Sequence, residues 1–250
     1  MMLWLMVASA QVSMERTQLV AGWASDVDAS HATVQRFQRT DGAWEPVGAS
    51  VPARLGIHGL AWGSGLHPPQ QGRAKHEGDG RSPMGIFELG QAFADMSLVL
   101  DGGWPMLQTT VRDLWVEDPA HAAYNTHVRV PGDRPLTDWE VSQRMRLGDE
   151  AHALKVAVRH NHRPAVAGAG SAIFLHIWRQ QGARPTSGCT ALPVGELKTL
   201  LDWLEPASKP VYVLLTRADW ERHGEAWGLP ALPASERDHT ATSDPHRSAP

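Results

Sequence analysis

The chain has 250 residues, 42% of them hydrophobic and 20% charged, which suits one well-buried domain and excludes a chain that is disordered throughout. Its formal net charge of -4 lacks the basic balance of a nucleic-acid-binding protein, so nucleic acid is not expected as a partner. The single cysteine, Cys189, excludes a disulfide within the chain.

The N-terminus begins with a short apolar run. Residues 1–10 end in Ala8-Ser9-Ala10, a small-x-small pattern typical of signal-peptide cleavage. No Lys or Arg precedes the run, and it is far shorter than the ~20 residues that a membrane-spanning helix needs. We therefore expect a signal peptide and no membrane span; the alternative is an N-terminal segment that is disordered or forms a strand.

The body of the chain carries mostly strand patterns. Residues 17–22 and 32–37 are short β-favouring runs that predict an opening hairpin, and residues 44–55 could add a third strand. Residues 154–159 alternate apolar and polar side chains, whereas residues 172–178 are almost continuously apolar. The second pattern predicts a central strand that is buried on both faces.

One helix is predicted near the C-terminal end. Four leucines recur at helical spacing after Gly195, and Pro206 ends the run; they are Leu197, Leu200, Leu201 and Leu204. This face should pack on the sheet, with residues 211–215 returning as the last strand. Residues 230–250 are rich in Pro, Ser, Thr, Asp and His, which predicts a disordered tail.

The least regular region, residues 102–148, is expected to form substrate-facing loops. It contains Trp115, Tyr124 and Asn125, whose aromatic and amide groups are of the kind that position a polar peptide or sugar. Binding residues concentrate on loops, although most loop residues only pack. These three are the candidate binding residues.

The 13 histidines raise the alternative of a metal site. His160 and His162 would lie on one face of a strand, with His152 near them in sequence. No Cys or Glu completes a ligand spacing that identifies a zinc site. We therefore predict no metal, and surface positions for these histidines.

Cys189 has the surroundings of a nucleophile. A free cysteine is ordinarily a small buried hydrophobe, but here it follows a turn, Ser187-Gly188, in which glycine permits positive φ and close approach of a ligand. His176 ends the buried apolar run, and a strand mounts a base rigidly. The pattern predicts a thiol–imidazole pair, with turn amides available to bind an oxyanion.

Two motifs carry a family resemblance. His176, a glycine-containing spacer and then Ser187-Gly188-Cys189 resemble the signature of the YkuD-type L,D-transpeptidases, cysteine enzymes that act on the peptide stems of bacterial peptidoglycan. Upstream, residues 77–87 are similar to the turn that precedes the rest of the catalytic domain in that family.

The resemblance covers residues 19–215 and implies a mainly β fold, a YkuD-like β-sandwich or barrel with a few short helices, as a catalytic domain over residues 17–217. Many family members carry Gly directly after the His and Arg two positions after the Cys, where this chain has Ile177 and Ala191. Arg179 could supply a cation for the substrate carboxylate; the alternative is a solvated charge at the strand end.

The resemblance also implies a mechanism. Cys189 would attack the carbonyl after the third residue of a tetrapeptide stem, releasing D-alanine and leaving a thioester. His176 would take the thiol proton, bringing the thiol pKa down from about 8.5, and give a proton to the leaving amine. The amides of Gly188 and Cys189 would bind the oxyanion, and no metal or organic cofactor is required.

Three activities stay open at this point. An acceptor amine would form a cross-link, as in cell-wall biogenesis and the maintenance of cell shape; water would make the protein an L,D-carboxypeptidase or another stem hydrolase. The third alternative is a non-catalytic wall-binding module, although a pure binder needs no thiol–imidazole pair. In each case the implied partner is the peptidoglycan stem peptide, in the periplasm or envelope of a bacterium; the sequence leaves the oligomeric state open.

Overall fold

The computed structural model describes residues 12–96 and 99–233. The expected signal peptide, residues 1–10, lies outside the described residues, as does most of the expected tail, residues 234–250. Twelve strands and three α-helices form within the described part; they are β1 (Gln18–Ala24), β2 (His31–Thr40), β3 (Ala43–Arg54), β4 (Leu60–Trp62), β5 (Ser82–Ala94), β6 (Met106–Gln108), β7 (Asp113–Trp115), β8 (His127–Arg129), α1 (Asp138–Ser142), β9 (Leu154–Val158), β10 (Phe174–Ile177), β11 (Thr190–Leu192), α2 (Val194–Trp203), β12 (Val211–Thr216) and α3 (Arg217–His223).

Ten strands make one sheet in the order β12-β1-β2-β3-β11-β10-β9-β5-β4, with β6 on β5. A further pairing between β12 and β5 closes most of this sheet into a barrel, which leaves those strands without free edges. The mainly β, barrel-like architecture with a few short helices is confirmed.

The predicted elements appear where the patterns place them. β1 and β2 form the opening antiparallel hairpin, with Leu19 opposite Phe37, and β3 continues it. β10 lies inside the sheet between β11 and β9, and all four of its residues are buried. The leucines of α2 join the main core, and β12 returns beside β1.

The sequence predicted one helix, and the structure adds two short ones. Thr137 precedes α1 as its N-cap and forms a capping box with Glu140. Thr216 precedes α3 as its N-cap, and its side chain accepts a hydrogen bond from the Asp219 amide. Threonine caps stabilise such helices without a long apolar repeat, so the leucine spacing that revealed α2 is missing from both.

The fold also extends beyond the expected domain bounds. Val12, Trp220 and Trp227 are buried in the main core. The first residues of the expected tail are packed rather than free, because the Pro230 carbonyl accepts a hydrogen bond from Trp220 Nε1 at 2.9 Å and Leu232 contacts the core. Within the described part of the chain, no helix is long and apolar enough to cross a membrane.

The two faces of β10 belong to different apolar clusters. Leu175 and Ile177 point into the main core, whereas Phe174 packs in a second cluster, as the alternation of a strand requires. That smaller cluster consists of Phe93, Met145, Ala157 and Phe174, with Leu107, Trp115, Ala172 and Cys189 partly buried against it. His176 shares this second face, which the hairpin β7–β8 covers through Trp115.

Asp113 holds the β7–β8 hairpin together. Its buried carboxylate accepts two hydrogen bonds from Arg129 at 2.8 and 2.9 Å, one from His127 at 2.8 Å and two from Thr110. Burial opposes ionisation, but these hydrogen bonds outweigh it and lower the pKa of Asp113 to about 2.

Replacing Asp113 by Asn should lower the free energy of unfolding by roughly 3 kcal/mol, because it leaves the guanidinium donors around a buried site without their anion. Urea denaturation at pH 7 measures the change. Asp133→Asn, at an exposed position, is the matched control and should change little; equal stability of both variants would contradict this role of Asp113.

Candidate active site

The pairing of β10 with β11 brings the predicted nucleophile and base together. The strands are parallel, with Leu175 opposite Thr190 and His176 opposite Ala191. Cys189 precedes β11 by one residue, so it lies on the same face as His176, as its diagonal neighbour. Both side chains line one cavity of about 110 Å³. Its lining residues are His152, His176, Arg179, Arg184, Pro185, Thr186, Ser187, Cys189 and Ala191.

The turn before Cys189 requires glycine. Gly188 has φ +145°, and a Cβ there would lie 2.9 Å from the Arg81 carbonyl oxygen. Ser82, the next residue, donates a hydrogen bond from Oγ to the Cys189 carbonyl at 3.0 Å. The two motifs that carried the family resemblance are therefore in contact: the upstream motif supports the backbone of the cysteine turn.

Thr186 stabilises the turn before Cys189 through two hydrogen bonds of its hydroxyl. Its hydroxyl donates to the Cys189 carbonyl at 2.6 Å and accepts from the Gly188 amide at 3.1 Å. The Gly188 amide, expected as an oxyanion donor, is thus already engaged with Thr186 in this structure. Ser187 is exposed at the rim of the cavity.

The Cys189 sulfur is held by backbone groups. Phe174 N–H donates to Sγ at 3.4 Å, and the thiol donates to the Ala172 carbonyl at 3.4 Å. Burial raises the pKa of the Cys189 thiol to about 11, although the Phe174 amide and the Lys155 ammonium oppose this shift. The expectation of a lowered thiol pKa is therefore wrong for the ligand-free site.

His176 is neutral for the same reason. It is 5% exposed, and burial lowers its pKa to about 4. Nδ1 donates to the Ile177 carbonyl at 2.7 Å, which fixes the tautomer with a lone pair on Nε2. The structure describes both residues and shows no hydrogen bond between His176 and Cys189. With these two pKa shifts, the resting site holds a neutral thiol and a neutral imidazole.

Two arginines stand at the cavity. Arg179 donates to Asp149 Oδ2 at 2.9 Å, so its charge is partly neutralised there. Arg184 also lines the cavity and forms no salt bridge with any residue in the described ranges. The sequence interpretation missed Arg184, although it is a basic residue in the spacer between the histidine and the cysteine turn.

Tyr124, Asn125 and Trp115 do not line this cavity. Tyr124 donates from its hydroxyl to Glu77 at 2.5 Å. Asn125 accepts from Trp115 Nε1 and the Ala172 amide and donates to the carbonyls of residues 160 and 161, so its amide is fully engaged. Trp115 and Asn125 instead line a separate cavity of about 210 Å³.

These three residues connect the middle loops to the site. Trp115 packs edge-on against Phe174, with ring centroids 4.9 Å apart, and Phe174 is the residue whose amide contacts the thiol. Asn125 accepts a hydrogen bond from the Ala172 amide, and the Ala172 carbonyl accepts a hydrogen bond from the Cys189 thiol. Their position supports a role in shaping the floor around Cys189.

Lys155 is a site residue that the sequence interpretation missed. It faces His176 across the β9–β10 pair and is only 3% exposed. Its ammonium donates to the Met145 carbonyl at 2.7 Å and lies over the Phe174 ring, while burial lowers its pKa to about 8. The alternating pattern of residues 154–159 did not single out Lys155, because its burial comes from contacts with Met145 and Phe174, which are distant in sequence.

The histidines considered for a metal have other roles. His160 is 2% exposed, accepts from the Ser64 amide through Nδ1 and donates to the Ala169 carbonyl through Nε2, so the expected surface position is wrong for it. His152 lines the cavity beside Cys189. No group of three or more potential metal ligands occurs within residues 12–96 and 99–233.

A comparison with protein-family models identifies the family of the chain. The model of the YkuD L,D-transpeptidase catalytic domain matches residues 47–213, a span that includes both motifs, Cys189 and His176. The chain belongs to this family. No curated protein and no solved structure matches it.

Gly188→Ala should lower the free energy of unfolding by about 1–3 kcal/mol, because the methyl group meets the Arg81 carbonyl and φ is strained. Gly195→Ala is the control: a Cβ there meets nothing within 4 Å, so stability should stay the same or rise slightly. Urea denaturation compares them, and equal losses would count against the close contact at Gly188.

The raised thiol pKa predicts a simple pH profile. The rate of Cys189 alkylation by iodoacetamide should rise about tenfold per pH unit from pH 7 to pH 10, because only the thiolate reacts. Lys155→Met should slow alkylation at each pH by removing a cation that favours the thiolate, whereas Lys198→Met, on the exposed face of α2, should not. A plateau below pH 9 in the unmodified protein would show that the thiol pKa is not raised.

Proposed function

We propose that this protein is a cysteine-dependent L,D-transpeptidase that acts on peptidoglycan tetrapeptide stems through a thioester on Cys189. The observation that carries the proposal is the common cavity of His176, on β10, and Cys189, directly before the adjacent parallel strand β11, in a chain that belongs to the L,D-transpeptidase family. A module that only binds the wall would not need a thiol and a neutral imidazole facing one cavity.

Acylation begins from neutral partners. As Cys189 attacks the stem carbonyl, His176 Nε2 takes the thiol proton, so charge develops only when substrate displaces water from the cavity. A C–S bond forms, the C–N bond to D-alanine breaks, and His176 passes the proton to the departing amine. The Lys155 ammonium, on the same face, favours the thiolate during this step.

The oxyanion needs donors at about 2.7–3.1 Å. The Gly188 amide donates to Thr186 in the resting site, so the Cys189 amide serves as the first donor, and Gly188 joins it when the turn adjusts. Ser187 borders the entrance. No metal or organic cofactor takes part in this scheme.

Arg184 and Arg179 serve the stem carboxylate. Both line the cavity, and Arg184 carries the less neutralised charge because Asp149 pairs with Arg179. Arg184 therefore makes the stronger contact with the anion, and Arg179 borders it. Trp115, Tyr124 and Asn125 support the loops on the other side of Phe174, toward the second cavity.

The substrate places the protein in the bacterial envelope, with residues 1–10 as its export signal. Its partner is the stem peptide of peptidoglycan, and its products are cross-links that contribute to cell-wall biogenesis and cell shape.

The test is mass spectrometry of disaccharide-tetrapeptide muropeptides incubated with the protein. The unmodified protein should form cross-linked dimers and release D-alanine, and Cys189→Ala should form neither. His176→Gln should slow product formation by at least ~100-fold through loss of the base. His31→Gln, at an exposed position, should retain full activity.

The products decide between the activities. Tripeptides without dimers would make the protein a hydrolase on the same scaffold. Unchanged muropeptides with folded protein would overturn the proposal, as would dimer formation by Cys189→Ala.

A further inference from the structure

The cavity of Cys189 contains a second imidazole. His152 lies in the short 3-10 turn Glu150–His152 just before β9, and its side chain lines the same cavity. Its ring stacks on that of His176, with centroids 5.3 Å apart and planes inclined by 26°. Two histidines therefore line the cavity of Cys189, one from β10 and one from the turn before β9.

His152 is oriented by a carboxylate. Its Nδ1 donates to Asp149 Oδ1 at 2.6 Å, so the lone pair of the neutral ring is on Nε2. The other oxygen of Asp149 accepts from Arg179 at 2.9 Å, which fixes the carboxylate in turn. A histidine held at one nitrogen by a carboxylate, with the other nitrogen free, is the arrangement of a general base.

The charges around His152 keep it neutral at rest and allow it to accept a proton. Burial lowers its pKa, and the cations of Lys155 and Arg179 act in the same direction, whereas Asp149 raises it. The neighbouring His176 is itself neutral because its own pKa is lowered to about 4. An imidazolium formed on His152 would have the carboxylate of Asp149 as its direct counter-ion.

The two histidines differ in depth. His176 is buried in the sheet, whereas His152 is only partly buried. The acceptor enters from solvent after D-alanine has left, so it meets the outer ring first. His176 is suited to the thiol, and His152 to a nucleophile that arrives from outside.

We propose that His152, held by Asp149, is a catalytic residue of the second half-reaction: it is the base that activates the acceptor for attack on the Cys189 thioester. This inference rests on the proposed function, since it assigns a step of the same reaction. His176 remains the base that takes the thiol proton in the acylation step.

The step balances. The nitrogen of the acceptor amine attacks the thioester carbonyl, a C–N bond forms and the C–S bond breaks, with its electron pair leaving on sulfur. His152 Nε2 takes the proton released by the amine, and Asp149 stabilises the imidazolium. That proton then returns to the Cys189 thiolate, which restores the neutral thiol and both neutral imidazoles. Water follows the same course in hydrolysis.

The experiment follows the acyl-enzyme by intact-protein mass spectrometry after mixing with the disaccharide-tetrapeptide donor. His152→Gln should acylate at the rate of the unmodified protein but turn over roughly 100-fold more slowly, so the mass of the stem acyl group on Cys189 accumulates. Asp149→Asn, which retains the cap oxygen of the turn, should show the same accumulation to a smaller degree. His31→Gln should behave as the unmodified protein.

A chemical rescue separates a lost base from a blocked site. Hydroxylamine cleaves thioesters without a strong protein base, so it should discharge acylated His152→Gln and the unmodified acyl-enzyme at similar rates. Resistance of the variant acyl-enzyme to hydroxylamine would mean that His152 only shapes the cavity, which would overturn its role as a base.

The remaining outcomes are also decisive. Normal turnover of His152→Gln, or loss of acylation in a folded His152→Gln protein, would overturn the inference while leaving the proposed function intact. If His152→Gln does not fold, normal turnover of Asp149→Asn overturns the inference and accumulation of its acyl-enzyme supports it. Failure of the unmodified protein to acylate would instead refute the proposed function, and this inference with it.

Discussion

The reactive turn depends on a close backbone contact between two parts of the chain that are more than a hundred residues apart. Gly188 lies so close to the Arg81 carbonyl oxygen that a Cβ atom at this position would be only 2.9 Å from it. Ser82 donates a hydrogen bond from Oγ to the Cys189 carbonyl. This contact fixes the position of the Cys189 backbone. The parallel register of β10 and β11 then decides which residues lie on the same face of the sheet as Cys189. The position of His176 relative to Cys189 follows from these two constraints.

Burial sets the chemistry of that face. The same desolvation raises the pKa of the thiol and lowers the pKa of the imidazole, because neither charge is favoured away from water. The resting site therefore holds no ion pair, and in the proposed acylation step the thiolate forms only as substrate binds. In that proposed step the ammonium of Lys155, buried on the same face, favours the thiolate.

Charged and polar side chains line part of the cavity beside Cys189. Asp149 joins His152 and Arg179 through its two oxygens, so one carboxylate orients both a cation and the imidazole that we propose as the second base. Phe174, whose amide contacts the Cys189 sulfur, packs against Trp115, which lines the separate cavity together with Asn125. In the proposed reaction, the buried His176 and the more exposed His152 serve the two nucleophiles in succession.

The sequence by itself determined the strands, the leucine helix and the family, and it singled out Cys189 and His176, which the fold brings to one cavity; apolar periodicity, turn residues and a short motif are local properties. Only the tertiary structure decided the partners that come from elsewhere. Lys155 is buried by Met145 and Phe174, and the alternating pattern of residues 154–159 contains no sign of these contacts. The proposed role of His152 depends on the stacking of its ring on that of His176 in β10. The side-chain amide of Asn125 is engaged by the backbone of residues that are distant in sequence. Burial and long-range contact have no local pattern, so these assignments required the folded chain.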